Sequence, residues 1–292
     1  MEIRKVAVLG AGLMGHGIAQ VAAQVGGYDV VVRDVEKRFI DNGERMIKES
    51  LAKFVKKGVL REDEATDTFG RIRYTLDLGE AVRDADLIIE AVTEDENLKT
   101  NLLREVSAKA PSHSVIASNT SSISITLLGS ATNRAEGVCG MHFFNPPQLM
   151  RLVEIIRGAK TSEETVKLIE SVAKKMGKET VIVKKDSPGF IVNRILVPAL
   201  NEAIYLIHEG VATPEDVDKA MKLGLNWPMG PFTLLDYVGL DTTLSIIDVF
   251  LREFQDSKYR PCPLLKQMVR GGLLGRKSGR GFYDWSKGPP EA

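Results

Sequence analysis

Short apolar runs alternate with helical periods along the first part of the chain. Val6, Ala7, Val8 and Leu9 form one uninterrupted apolar run, read as a buried strand. Residues 12–25 are rich in alanine and stop at Gly26 and Gly27, read as a helix. Val30, Val31 and Val32 make a second strand ending at Asp34, and residues 36–57 carry a long helical pattern. Further strands are expected at 72–75, 87–92, 114–118, 137–143, 152–156 and 180–183, with a helix over 97–109. Another helix is expected to begin at Thr161, with Glu164 completing a capping box, and to end at Lys174 and Lys175 before Gly177. Continuous apolar strands between helices predict an α/β Rossmann-like domain, a mostly parallel sheet covered on both faces.

After Asp186 the strand pattern stops. Residues 189–210 read as an apolar helix with a kink at Pro198, and Thr213 caps another helix with Pro214 at its first position. Residues 240–254 are apolar nearly all round, which implies burial against other helices or a second subunit. The expected organisation is residues 1–185 as the Rossmann-like domain with an inserted helix pair. Residues 186–292 follow as an all-α domain for substrate binding and dimerisation.

Composition narrows the function classes. The 292 residues carry 39 basic and 39 acidic side chains, so the basic excess of a nucleic-acid binder is missing. No apolar run approaches the roughly 18 residues of a membrane span, and no signal peptide is seen at the start. Cys139 and Cys262 form neither a disulfide framework nor a metal pattern. A cytoplasmic protein without metal is expected.

Gly10-Ala11-Gly12-Leu13-Met14-Gly15 follows the first strand and opens the first helix, the context a dinucleotide fingerprint requires. The glycines suit a tight turn, close backbone approach to a pyrophosphate and close helix packing, while the helix N-terminus favours phosphate. Leu13 and Met14 complete the loop, and Ala91, in the strand over 87–92, is counted with the same site. Asp34 stands where an acid accepts bonds from both ribose hydroxyls, which favours NAD over NADP. Arg33 beside it leaves a route to a 2′-phosphate.

Of the four histidines, His142 ends an apolar strand, where an open α/β sheet places its ligand crevice. His16, His113 and His208 read as structural or solvated. Taken alone, His142 fits a satisfied core residue as well as a catalyst. Glu154 lies on an apolar strand, on the face of Leu152 and Ile156, and the tight Asn145-Pro146-Pro147 turn can bring it back to His142. Such a pair would act as base and orienter, whereas a solvent-facing glutamate at a sheet edge is the alternative. Ser118-Asn119-Thr120-Ser121-Ser122 suits a substrate oxygen or a nicotinamide ribose, and equally the cap of a following helix.

Together these stretches resemble the L-3-hydroxyacyl-CoA dehydrogenase family, including its short, monofunctional bacterial 3-hydroxybutyryl-CoA dehydrogenases. The resemblance spans essentially the whole chain. It adds Pro188-Gly189-Phe190-Ile191-Val192-Asn193-Arg194, Pro228-Met229-Gly230-Pro231 and Gly275-Arg276-Lys277-Ser278-Gly279 to the motifs above. It implies His142 as general base, Glu154 as its orienting acid, Ser121 as the partner of the substrate's C3 oxygen, and Asn193 completing the site. Glu94, Lys99, Asn119, Asn145 and Lys277 match positions around the nicotinamide half of the cofactor. Ser50 and Lys57 match positions that contact CoA, although Lys53, Lys56 and Lys57 also fit a solvated helix face. The implied reaction is the reversible NAD-linked oxidation of an L-3-hydroxyacyl-CoA, 3-hydroxybutanoyl-CoA foremost, to the 3-oxoacyl-CoA. It belongs to fatty-acid β-oxidation or butanoate metabolism and is carried out by a homodimer. The competing readings are a related dehydrogenase of a free hydroxy acid and a non-catalytic, crystallin-like relative.

Overall fold

Side chains alternate between two cores along the central strands, because a strand buried on both faces must fill both. In the computed structural model, which describes residues 2–288, Val6 and Val8 face one cluster, while Ala7 and Leu9 face another. The strand that holds them is β1 (Lys5–Leu9). The chain continues through α1 (Gly15–Gln24), β2 (Asp29–Arg33), α2 (Lys37–Lys56), α3 (Glu62–Gly70), β3 (Ile72–Thr75), α4 (Leu78–Val82) and β4 (Leu87–Glu90). It then forms α5 (Glu96–Lys109), β5 (Val115–Ser118), α6 (Ile125–Ser130), β6 (Val138–Phe143), β7 (Leu152–Ile156), α7 (Glu163–Lys175) and β8 (Glu179–Val183).

The eight strands form one sheet in the order β3-β2-β1-β4-β5-β6-β7-β8. Every neighbouring pair is parallel except β6 and β7, which run antiparallel. This is the mostly parallel α/β sheet expected from the apolar runs. The order reverses at β1 and β4, and the carboxyl ends of strands at such a switch point form the ligand crevice. Leu9 pairs with Arg33 on one side and Glu90 on the other, so the ends of β2, β1 and β4 lie level.

Two compact units divide the chain, Met1–Phe190 and Ile191–Ala292. The second is helical: α8 (Val192–His208), α9 (Pro214–Leu225), α10 (Pro231–Val238), α11 (Leu240–Phe254) and α12 (Pro263–Arg270). Pro198 lies inside α8, and Thr213 caps α9 with Pro214 in its first turn. Two buried acids tie the following loop to these helices. Asp236 accepts from the amides of Phe282 and Tyr283 and from Trp285 Nε1, while Asp218 accepts from the amides of Phe232 and Thr233 and from Tyr283 Oη. No described helix is long and apolar enough to cross a membrane.

Local expectations fail at two helices. Helix α7 is capped by Ser162, whose Oγ accepts from Thr165 N, and Thr161 instead donates to Val138 O. A hydroxyl buried beneath a strand end has a nearer carbonyl than the helix it precedes. Helix α11 is amphipathic: Leu240, Thr243, Ile247 and Phe250 are buried, while Thr242, Ser245, Asp248 and Arg252 are exposed. Its polar residues recur at helical spacing and form a solvated stripe.

Candidate active site

Glycine geometry sets the entrance. Gly10 has φ +105°, and a Cβ there would meet Ala91 O at 2.5 Å. A Cβ on Gly15 would collide with Gly10 O, so the turn and the helix start must both be bare. A Cβ on Gly12, by contrast, would meet nothing within 4 Å, which leaves open space beside exposed backbone. Met14, the N-cap of α1, gives the first-turn amides no side-chain cap. His16 Nδ1 donates to Gly12 O at 2.9 Å and steadies the loop, and burial lowers the pKa of its ring. Asp34 Oδ2 accepts from Ala11 N at 2.7 Å, and Oδ1 from Val35 N at 2.7 Å. A carboxylate has further lone pairs for ribose hydroxyls. Arg33 Nε donates to Leu76 O at 3.2 Å. An uncapped helix start, an open glycine and an acid at the end of β2 fit a dinucleotide.

A second group lies at the ends of β4 and β5. Glu94 Oε1 accepts from Thr120 Oγ1 at 2.6 Å, Ser121 N at 2.8 Å, and Ser121 Oγ and Ser122 Oγ at 3.2 Å each. Burial would raise the Glu94 pKa. The Lys99 ammonium and the Thr120 and Ser121 hydrogen bonds outweigh it and hold the carboxyl below its ordinary range. The short helix α6 is capped by Ser124, so Thr120, Ser121 and Ser122 turn toward Glu94 instead of serving as its cap. Asn119 Oδ1 accepts from Phe143 N at 2.9 Å and joins β5 to β6. Lys99 is buried, with Nζ 2.7 Å from Glu90 Oε1, 3.2 Å from Glu94 Oε2 and 3.2 Å from Val92 O.

The third group is the histidine and its acid. β6 and β7 pair His142 directly with Glu154. His142 Nδ1 lies 2.7 Å from Glu154 Oε2, with the glutamate fully buried and the histidine 6% exposed. A buried carboxylate 2.7 Å from the ring accepts Nδ1–H and leaves Nε2 as the basic nitrogen. Phe144 and Phe190 pack on the imidazole at centroid distances of 4.7 and 5.6 Å. Asn145 is exposed in the turn that follows, before a cis peptide to Pro146.

The family described as "3-hydroxyacyl-CoA dehydrogenase, NAD binding domain" matches residues 5–187, and "3-hydroxyacyl-CoA dehydrogenase, C-terminal domain" matches 189–285. This chain belongs to the 3-hydroxyacyl-CoA dehydrogenase family. It is 50% identical to a probable 3-hydroxybutyryl-CoA dehydrogenase of Deinococcus radiodurans, over 96% of this chain and all of that one. It is 49% identical to a protein of the same description from Bacillus subtilis, over 98% and 99% of the two chains. The solved (S)-3-hydroxybutyryl-CoA dehydrogenase of Ralstonia eutropha superposes with a TM-score of 0.92 at 45% identity, covering 97% and 99% of the two chains.

The remaining residues named for this dehydrogenase fold lie on other elements. Ser50 and Lys57 sit seven residues apart, two turns along one face of α2 and its C-terminal cap. Lys37, Arg45 and Lys48 on that helix pair with Asp41, Glu49 and Glu44, whereas Lys53, Lys56 and Lys57 have no ion-pair partner among the described residues. Asn193 lies half-buried in the first turn of α8. Lys277 belongs to the second unit, where Nζ lies 2.7 Å from Asp241 Oδ2. Glu90, which accepts a 2.6 Å hydrogen bond from Ser118 Oγ, escapes a reading of the sequence. The signal for Glu90 is a carboxylate closing the apolar run Leu87, Ile88 and Ile89.

Proposed function

We propose that this chain catalyses the reversible NAD-linked oxidation of L-3-hydroxyacyl-CoA, with 3-hydroxybutanoyl-CoA as substrate, to the 3-oxoacyl-CoA. The observation that carries the reading is the buried 2.7 Å pair of His142 and Glu154 at the ligand end of the sheet. The names of the full-length relatives support the thioester substrate. Bound NAD supplies the hydride acceptor. His142 Nε2 removes the C3 hydroxyl proton in oxidation and returns it in reduction. Glu154 fixes the ring tautomer and stabilises the imidazolium between these steps. Ser121 and Asn193 hold the C3 oxygen and the thioester in line for reaction. The amides of Gly12, Leu13, Met14 and Gly15 hold the pyrophosphate and Asp34 the adenosine ribose. Ala91, Glu94, Lys99, Asn119, Asn145 and Lys277 surround the nicotinamide half. Ser50 and Lys57 take the CoA moiety, and the uncompensated Lys53, Lys56 and Lys57 suit its phosphates. The enzyme works in the cytoplasm, in β-oxidation or butanoate metabolism, as a homodimer formed through its helical unit.

The test is the rate of NADH and NADPH oxidation with acetoacetyl-CoA, beside free acetoacetate. Rapid turnover with NADH and the CoA ester alone is expected. Preference for NADPH would replace Asp34 by Arg33 as the deciding residue, and turnover of free acetoacetate would overturn the thioester assignment.

A further inference from the structure

One buried ionic cluster has no step in the proton transfer above. Glu90 is fully buried, and its contacts are all donors: Lys99 Nζ at 2.7 Å, Val92 N at 2.7 Å and Ser118 Oγ at 2.6 Å. Ser118 Oγ accepts from Thr120 N at 3.2 Å, so its own proton points to Glu90. Lys99, 1% exposed, reaches both Glu90 and Glu94. One ammonium between two carboxylates leaves a net charge of minus one. Glu90 and Lys99 are buried and Glu94 only partly so, and charge in such a setting is less screened by salt than charge on the open surface.

Its location gives this charge a target. Glu90 pairs with Leu9, and Ala91 N donates to Leu9 O at 2.7 Å, so the cluster stands one strand from the glycine loop. Asp34 lies on the opposite side of the switch point, at the end of β2. A dinucleotide laid across the switch with its adenosine ribose on Asp34 carries its nicotinamide over the ends of β4 and β5. The oxidised nicotinamide ring is a cation and the reduced ring is neutral.

We infer that the Glu90–Lys99–Glu94 cluster tunes the preference of this site between the two cofactor states, favouring the oxidised one. Glu90 is a positioning residue: it shares the Lys99 ammonium and so leaves Glu94 incompletely neutralised. The inference rests on the NAD reading proposed above.

The test uses the full chain and measures Kd for NAD by calorimetry and for NADH by fluorescence. Glu90→Gln and Glu94→Gln each neutralise the cluster, and each raises the ratio of Kd for NAD to Kd for NADH about three- to tenfold. Ser118→Ala removes a hydrogen bond to Glu90 but no charge, and leaves the ratio at its wild-type value. Should Glu90→Gln not fold, Glu94→Gln still decides the matter, because its side chain is 37% exposed. An unchanged ratio in the charge-removing variants overturns the inference, as does an equal shift in Ser118→Ala. Failure of the wild-type chain to bind either cofactor sinks the NAD reading instead.

Discussion

Glu154 acts through its place against the ring of His142. The carboxylate is fully buried and its His142 contact is 2.7 Å. Glu154→Gln keeps the volume but offers Nδ1 an amide, which cannot balance an imidazolium. Turnover should fall about 10²- to 10⁴-fold, the range for loss of a general acid–base function, while Kd for NADH stays within about twofold. A parallel loss of NADH affinity would assign Glu154 to the cofactor site. Glu94 makes a prediction about pH. Its native pKa is depressed by Lys99 and by hydrogen bonds that outweigh burial. Its contribution to stability is therefore complete above the ordinary glutamate value of about 4.3. It is lost as pH falls through the lower native value. Urea unfolding of wild type and Glu94→Gln at pH 7, 5 and 3 should show a stability gap at the first two that shrinks at the third. A gap that widens on acidification would contradict the assignment. His142 and Glu154 were legible because polar residues in apolar strands stand out against their neighbours. Glu90 was harder, since its Ser118 partner lies 28 residues away and becomes adjacent only when β4 and β5 pair.

The turn between β6 and β7 shows how elements divide the task of placing a site. It carries Phe144 against the histidine ring and Asn145 beyond it, and it is held from two sides. Lys178, buried between α7 and β8, donates to Pro147 O at 2.5 Å and Met150 O at 2.8 Å, and burial lowers its pKa. On the other side, a Cβ on Gly17 of α1 would meet Gln148 Oε1 at 2.7 Å and the Pro147 ring at 2.9 Å. Gly17→Ala gains about 1 kcal/mol of helix propensity, yet overpacking against a rigid ring costs about 1–3 kcal/mol. The net effect is a loss near 1 kcal/mol, or a Tm lower by about 2–4 °C. A higher Tm in calorimetry would show that the turn yields easily. The order of the strands is fixed only by their pairing in the folded sheet, whereas their positions followed from apolar runs, because burial on both faces leaves a continuous run. This clamp did not, because a lysine binding carbonyls has no sequence partner to betray it. The same holds in the second unit, where Asp236 binds amides 46 and 47 residues further on.

At the scale of the whole molecule, the helical unit presents apolar side chains that its own core does not cover. Ile195 is 70% exposed, Val211 65%, Leu223 76% and Leu225 64%. Single exposed apolar residues are common, so whether these four serve an association surface is a matter for experiment. The polar stripe on α11 argues against that helix as the main contact and directs attention to α8 and α9. A stable dimer needs roughly 800 Å² from each partner, far more than one helix face provides, so a dimer formed here would draw on residues of both helices. Ile195→Glu places a charge in such an interface, where desolvating it without a partner is unfavourable. Analytical ultracentrifugation should find the wild-type chain at twice its monomer mass and Ile195→Glu, at micromolar concentration, largely at the monomer mass. Ser245→Glu, on the exposed stripe of α11, is the matched control and should sediment as wild type. If Ser245→Glu dissociates and Ile195→Glu does not, the interface lies on α11. If the wild-type chain itself sediments as a monomer, the exposed side chains serve another contact.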